Sequence, residues 1–154
     1  MNKIFRLVLI LGALGSTQSR AAQEHAALSP PLVAELAKHR GVFVVPAHAA
    51  DHKRPRETWF IYQDGAIYIT SPASDPRVVS IQNGSPEATI AIGKPDGLSL
   101  KASGTIVKDS QVSKSILDNL RSKYPEFWKE YGGLLQQKVN EGVSVVIKYT
   151  PADS

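Results

Sequence analysis

The chain has 154 residues, 42% of them hydrophobic and 21% charged, the balance of one globular domain with enough length for a real core. It contains no cysteine, which excludes disulfides, thiolate nucleophiles and thiolate metal sites. The formal charge of +4 belongs mostly to the first 21 residues: Lys3, Arg6 and Arg20 lie there with no acid, and removing them lowers the basic count from 18 to 15 against 14 acids, too even a balance for a nucleic-acid-binding face.

That first segment, MNKIFRLVLILGALGSTQSRAA, runs from Lys3 and Arg6 through the apolar stretch Leu7 to Leu14 to the small-x-small site Ser19-Arg20-Ala21. This is the layout of a secretory signal peptide, and the apolar stretch is too short for a stable membrane span. The expectation is a Sec-type signal peptide over residues 1–21, export to the periplasm or beyond, and a mature domain over 22–154 with no stable span.

Ser29-Pro30-Pro31 then opens a helix in LVAELAKHR, with Gly41 placed to end it. GVFVVPA reads as a strand, and TWFIYQ, Asp64-Gly65 and AIYIT form a hairpin whose two-residue turn suits type I′. Counting outward from the turn pairs Gln63 with Ala66, Tyr62 with Ile67, Ile61 with Tyr68, Phe60 with Ile69 and Trp59 with Thr70. Phe60, Tyr62, Ile67 and Ile69 then share a core face, and Trp59, Ile61, Tyr68 and Thr70 share the other. An outward tryptophan and tyrosine imply either a ligand or interface, or a second layer packed on the sheet. EATIAIG, a Lys94-Pro95-Asp96-Gly97 turn and LSLKASGTIV give a second hairpin, with Gly104 marking a bulge or bend. DSQVSKSILDNLRSKY follows as a helix with Val112, Ile116, Leu120 and Tyr124 on one face, PEFWKEYGG adds an aromatic helical turn, and VSVVIKYTP is the last strand. The sum is a small mostly-β or α+β barrel of six strands with flanking helices.

The residues able to carry chemistry gather after the first hairpin. In Thr70-Ser71-Pro-Ala-Ser74-Asp75-Pro76-Arg77, Ser74 or Asp75 serves as a helix cap and Pro76 suits the first turn. Capping does not require Arg77, and a cation in a first helical turn opposes the helix dipole, so Arg77 with Thr70 and Ser71 reads as a phosphate site. Lys53, Arg54 and Arg56 approach the same strand end from the neighbouring strand, with a solvated charge run as the alternative. His48 and His52 around Asp51 offer a metal or haem ligand set, but Pro46 and turn-like neighbours favour an exposed loop. No nucleophile elbow and no P-loop or dinucleotide fingerprint is present.

From about Leu32 to Pro151 this order of elements, with WFIYQDGAIYITS, the serine-rich turn, ATIAIG and ASGTIVKD, resembles the FMN-binding split barrels related to pyridoxamine 5′-phosphate oxidase. The resemblance implies a homodimer binding FMN at its interface, and flavin-dependent oxidoreductase chemistry on a small molecule, with no catalytic side chain assigned. Relatives that bind a deazaflavin coenzyme or haem, or no cofactor, make a non-enzymatic binder of haem or another planar ligand the alternative. Position by position, Arg56 resembles the basic residue at the start of the second strand, and Trp59, Phe60 and Ile61 the strand lying against the isoalloxazine. Thr70 and Ser71 resemble the hydroxyl pair, and Ser74 and Arg77 the serine and basic phosphate ligands, with a spacing one residue longer than usual.

Overall fold

The computed structural model describes residues 28–48 and 55–152. The expected signal peptide over residues 1–21, with Asp51, His52, Lys53 and Arg54, lies outside the described residues. Helix α1 (Pro30–Lys38) leads into β1 (Gly41–Pro46), followed by β2 (Glu57–Gln63), β3 (Ala66–Pro72), α2 (Pro76–Gln82), β4 (Glu87–Ile92) and β5 (Ser99–Ile106). Helices α3 (Ser110–Lys123) and α4 (Pro125–Phe127), a π-helical turn (Trp128–Gly132) and α5 (Gly133–Asn140) precede β6 (Ser144–Pro151). The six antiparallel strands close into a barrel in the order β1-β2-β3-β6-β5-β4. The expected six-stranded barrel with flanking helices is therefore the architecture found.

The β2–β3 turn places Asp64 at φ 50° and Gly65 at φ 74°, the two left-handed positions of a type I′ turn. Register follows as expected for Gln63 with Ala66, Tyr62 with Ile67, Ile61 with Tyr68 and Phe60 with Ile69. The fifth pair is not made: from Trp59 outward β2 pairs with β1, Trp59 lying opposite Gly41 and Thr58 opposite Val42. Phe60, Ile67 and Ile69 fill the barrel with Val42, Ile90 and Ile147. On the other face, Trp59, Ile61 and Tyr68 lie under a helical layer built from Ile116, Leu117, Leu120 and Tyr124. The outward aromatic face is thus covered by the chain itself.

Three further sequence expectations are corrected. Val112 is exposed and Leu117 takes its place on the packed face of α3, because the helix meets the sheet through Ile116, Leu117 and Leu120, a stripe about one residue round from the one counted. Helix α1 stops at Lys38, and Gly41 opens β1 instead of capping the helix. Gly104 is a regular member of β5, opposite Tyr149; a Cβ there would come 2.7 Å from Ile81 Cδ1 and 2.8 Å from Tyr149 Cε1, so the requirement is close packing and not a bulge. Helix α5 is an element the sequence reading did not contain.

The barrel is pinned where β1 and β2 separate. Because β1 begins at Gly41, Phe60 turns its backbone N–H and C=O toward an edge that no strand covers. Tyr124, fully buried, fills the gap: its hydroxyl accepts from Phe60 N at 3.2 Å and lies 2.8 Å from Arg40 O and 3.0 Å from Phe60 O, its one proton shared between those carbonyls. Lys123 adds a bond from Nζ to Phe60 O at 3.1 Å, its ammonium 3.4 Å from the Phe60 ring centroid, and burial of that end lowers its pKa to about 8. Tyr124→Phe is expected to cost about 1–3 kcal/mol, since it strands buried backbone groups without emptying the ring's volume. Denaturant unfolding checks this, and a variant as stable as the parent would show that the hydroxyl does not pin the seam.

Candidate functional site

The start of β2, the end of β3 and the start of α2 bring together one cation, one acid and two hydroxyls. Asp75 caps α2, its Oδ1 accepting from Arg77 N at 2.9 Å, so the choice between Ser74 and Asp75 falls to Asp75. The same carboxylate receives the guanidinium edge-on, Nε to Oδ1 and Nη2 to Oδ2, both at 2.8 Å. Nη2 also donates to Ser71 Oγ at 3.2 Å and Nη1 to Thr58 Oγ1 at 3.0 Å. Arg77 therefore points inward and links α2 to both β2 and β3. The Asp-Pro-Arg sequence makes this geometry: proline fixes the first turn, and the side chain two residues after the cap folds back over it.

The arrangement is nearly closed to water, with the Arg77 and Asp75 side chains only 17% and 20% exposed and Ser71 buried. Burial alone would raise the Asp75 pKa, but hydrogen bonds and charge from Arg77 more than offset it and hold the carboxyl below its ordinary value of 3.8. Burial likewise works against the Arg77 charge, and Asp75 more than restores it.

The other expected site residues separate from this cluster. Ser74 and Arg56 are exposed; among the described residues Arg56 enters through its backbone carbonyl, which accepts from Thr58 Oγ1 at 3.3 Å. Phe60 lies inside the barrel, and Ile61 beneath α3. Trp59 stacks on Tyr124 at 5.2 Å between ring centroids and meets the edge of Phe127 at 3.8 Å, so its face is occupied by the chain's own helices. His48 is exposed at the end of β1, beside a shallow groove of about 310 Å³ against α2. Among the described residues no cluster of metal-ligating side chains occurs, and no helix is long and apolar enough to cross a membrane.

Thr70 and Ser71 also line a groove of about 250 Å³ between β3 and the helical layer. Its opposite wall is Phe127, Tyr131 and Leu134, with Lys138 at the rim. Tyr131 and Leu134 stay about half exposed, at 47% and 52%, and Tyr131 stacks on Phe127 at 5.3 Å. These wall residues escaped the sequence reading because the π-helical turn shifts them relative to an α-helical count; the signal present was the aromatic run Phe127, Trp128, Tyr131 ahead of Gly132-Gly133. A larger groove of about 660 Å³, between α3, α5 and β6, is flanked by the Lys114–Asp118 ion pair and contains none of the expected residues.

The residues near Arg77 do not fit an incoming phosphate as they stand. Four of the five guanidinium N–H groups have partners within the chain, and the bidentate edge a phosphate would take is occupied by the Asp75 carboxylate. The groove is better matched to a flat ring, with aromatic and aliphatic contacts on one side and hydroxyls on the other.

This barrel, with its strand order and its helical layer before the last strand, has the fold of the pyridoxamine 5′-phosphate oxidase-like split barrels. The chain is similar to a conserved hypothetical protein of Mycobacterium tuberculosis (14% identity, 85% of each chain, TM-score 0.61) and to the heme storage protein HutZ of Vibrio cholerae (9% identity, 83% of this chain and 92% of that one, TM-score 0.58). It is also similar to a pyridoxamine 5′-phosphate oxidase candidate from Listeria innocua (19% identity, 80% of this chain and 92% of that one, TM-score 0.57). At these identities the likeness is one of fold. No protein-family profile and no curated protein matches the chain.

Asp75→Asn is expected to destabilise the protein by about 1–3 kcal/mol at neutral pH, because the bidentate partner of Arg77 loses its charge. A carboxyl whose folded pKa is depressed contributes its stability above the unfolded value, near 3.8, and loses it as pH falls through the lower folded value. Urea unfolding over a pH series should therefore show the two proteins converging in acid; a difference independent of pH would place the Asp75 contribution in the cap alone.

Proposed function

We propose that the protein is an exported, homodimeric split-barrel protein that binds a flat conjugated ligand of the flavin class in the groove beside β3. The observation that carries this reading is the groove itself, where Phe127, Tyr131 and Leu134 face the hydroxyl-bearing end of β3 and Lys138 stands at the rim. Among the described residues Lys138 makes no ion pair, which leaves a cation for a polar or anionic edge of the ligand. At about 250 Å³ the groove is smaller than the roughly 300–1,000 Å³ of most ligand sites. A second copy laid over the exposed Tyr131 and Leu134 would complete it, in line with a ligand held at a dimer interface.

Bound there, a flavin would supply hydride chemistry of its own, and the side chains would orient the ring and exclude water. No groove residue is given the part of acid, base or nucleophile. Passage across a membrane in unfolded form, as the leading segment implies, means that the ligand is acquired after export, which favours a binding or carrier role over a reductase supplied with cytosolic electron donors. Haem is the second reading, supported by the fold shared with HutZ and by Tyr131, a residue type able to ligate haem iron.

Titration of the purified protein with FMN and with riboflavin tests this. Quenching of flavin fluorescence is expected, with Tyr131→Ala and Leu134→Ala weakening it about tenfold, the size of a lost ring contact, and shifting the dimer toward monomer. A protein that quenches neither flavin overturns the reading, and a Soret band on addition of haem, without flavin binding, replaces it with the second.

A further inference from the structure

We infer that Asp75 is the residue that closes Arg77 to anionic ligands: its carboxylate stands where an anionic ligand group would meet the guanidinium, so the chain takes no phosphate there. The occupancy of Arg77 by Asp75 is independent of the groove reading above, which enters only through the choice of flavins as a second probe.

Three observations carry it. The first is geometric: Asp75 takes Nε and Nη2 in the edge-on bidentate mode by which a guanidinium holds a phosphate or an external carboxylate, at 2.8 Å to each oxygen. The second is placement: the hydroxyls that would surround a bound anion, Ser71 and Thr58, already accept from the remaining Arg77 nitrogens at 3.2 and 3.0 Å. Ser71 follows Ile67 and Ile69 in the strand alternation, so its hydroxyl is turned to the core side of β3, where Arg77 holds it. The third is charge: with both side chains four-fifths or more shielded, a phosphate dianion placed against Arg77 would stand beside a carboxylate in poorly solvated surroundings, where like charges repel far more strongly than in water.

The cap and the clasp can be separated by substitution. Asp75→Ser retains an oxygen able to cap α2 while freeing the guanidinium; Asp75→Asn retains the side-chain shape and removes only the charge. Inorganic phosphate serves as the anion probe, with sodium chloride at matched ionic strength as the control. Wild-type melting temperature is expected to be unchanged by phosphate. Asp75→Ser should melt lower and be restored by phosphate, and Asp75→Ser combined with Arg77→Met should melt lower without restoration. Should Asp75→Ser fail to fold, the same comparison is made with Asp75→Asn.

The flavins are the second probe. Wild type should bind riboflavin and FMN within about threefold of one another, since an engaged Arg77 offers the FMN phosphate no charge-assisted bond. Phosphate stabilisation of the wild type that vanishes in Arg77→Met, or an FMN preference of the wild type that depends on Arg77, overturns the inference. Failure of both flavins to bind removes the groove reading, and the phosphate melts still decide whether Asp75 occupies the anion position.

Discussion

The carboxylate of Asp75 fixes the Arg77 guanidinium, and through it three elements meet at one end of the barrel. Asp75 starts α2, Arg77 reaches back to Ser71 on β3 and across to Thr58 on β2. Four hydrogen bonds and a neutralised charge are concentrated where the β2–β3 ladder stops and β2 turns to β1. A buried pair of this kind contributes modestly to net stability, but removing one partner strands the other. The consequence for function is larger than the energetic one: Arg77 is already engaged, so a ligand in the proposed groove would be recognised by the ring wall, Thr70 and Lys138.

The same economy governs the other side of β2. Trp59, Ile61 and Tyr68 would be costly in water, and the chain covers them with α3, α4 and α5 instead of leaving them for a ligand. Tyr124 joins that layer to the barrel by bonding the backbone of Phe60 at the seam where β1 is too short to do so. The helical layer in turn carries Phe127, Tyr131 and Leu134 to the end of β3, and the π-helical turn, in which the Trp128 ring lies against Gly132, sets the angle at which they face Thr70. Packing of the outer face and construction of the groove are one feature.

Much of this was legible in the residues because it depends on local chemistry. Asp64-Gly65 dictates a turn, the turn dictates a register, and the register sorts Phe60, Ile67 and Ile69 inward. Cap residues and proline placement located the start of α2 to within one residue, with Asp75 and not Ser74 as the cap. What was not legible depends on encounters between distant segments. Opposite the hairpin end, Trp59 pairs with Gly41 of β1 and not with Thr70, a choice set by barrel closure. Helix α5 has a weak apolar pattern, GLLQQKVN, and owes its place to the layer it completes. The role of Arg77 was half readable: the hydroxyls at Thr70 and Ser71 marked it as a candidate anion ligand, whereas its inward direction and its capture by Asp75 require the side chain to fold back over the helix start, which spacing alone does not reveal.

The direct measurement of the central claim is the side-chain NMR spectrum of Arg77. A guanidinium clasped edge-on by Asp75 should show a protected Nε–H signal and slowed rotation about the Cζ–Nη bonds, and neither phosphate nor FMN should shift it at neutral pH. An Arg77 side chain that rotates freely, or whose Nε–H moves on addition of FMN, would contradict the account and return the guanidinium to the ligand.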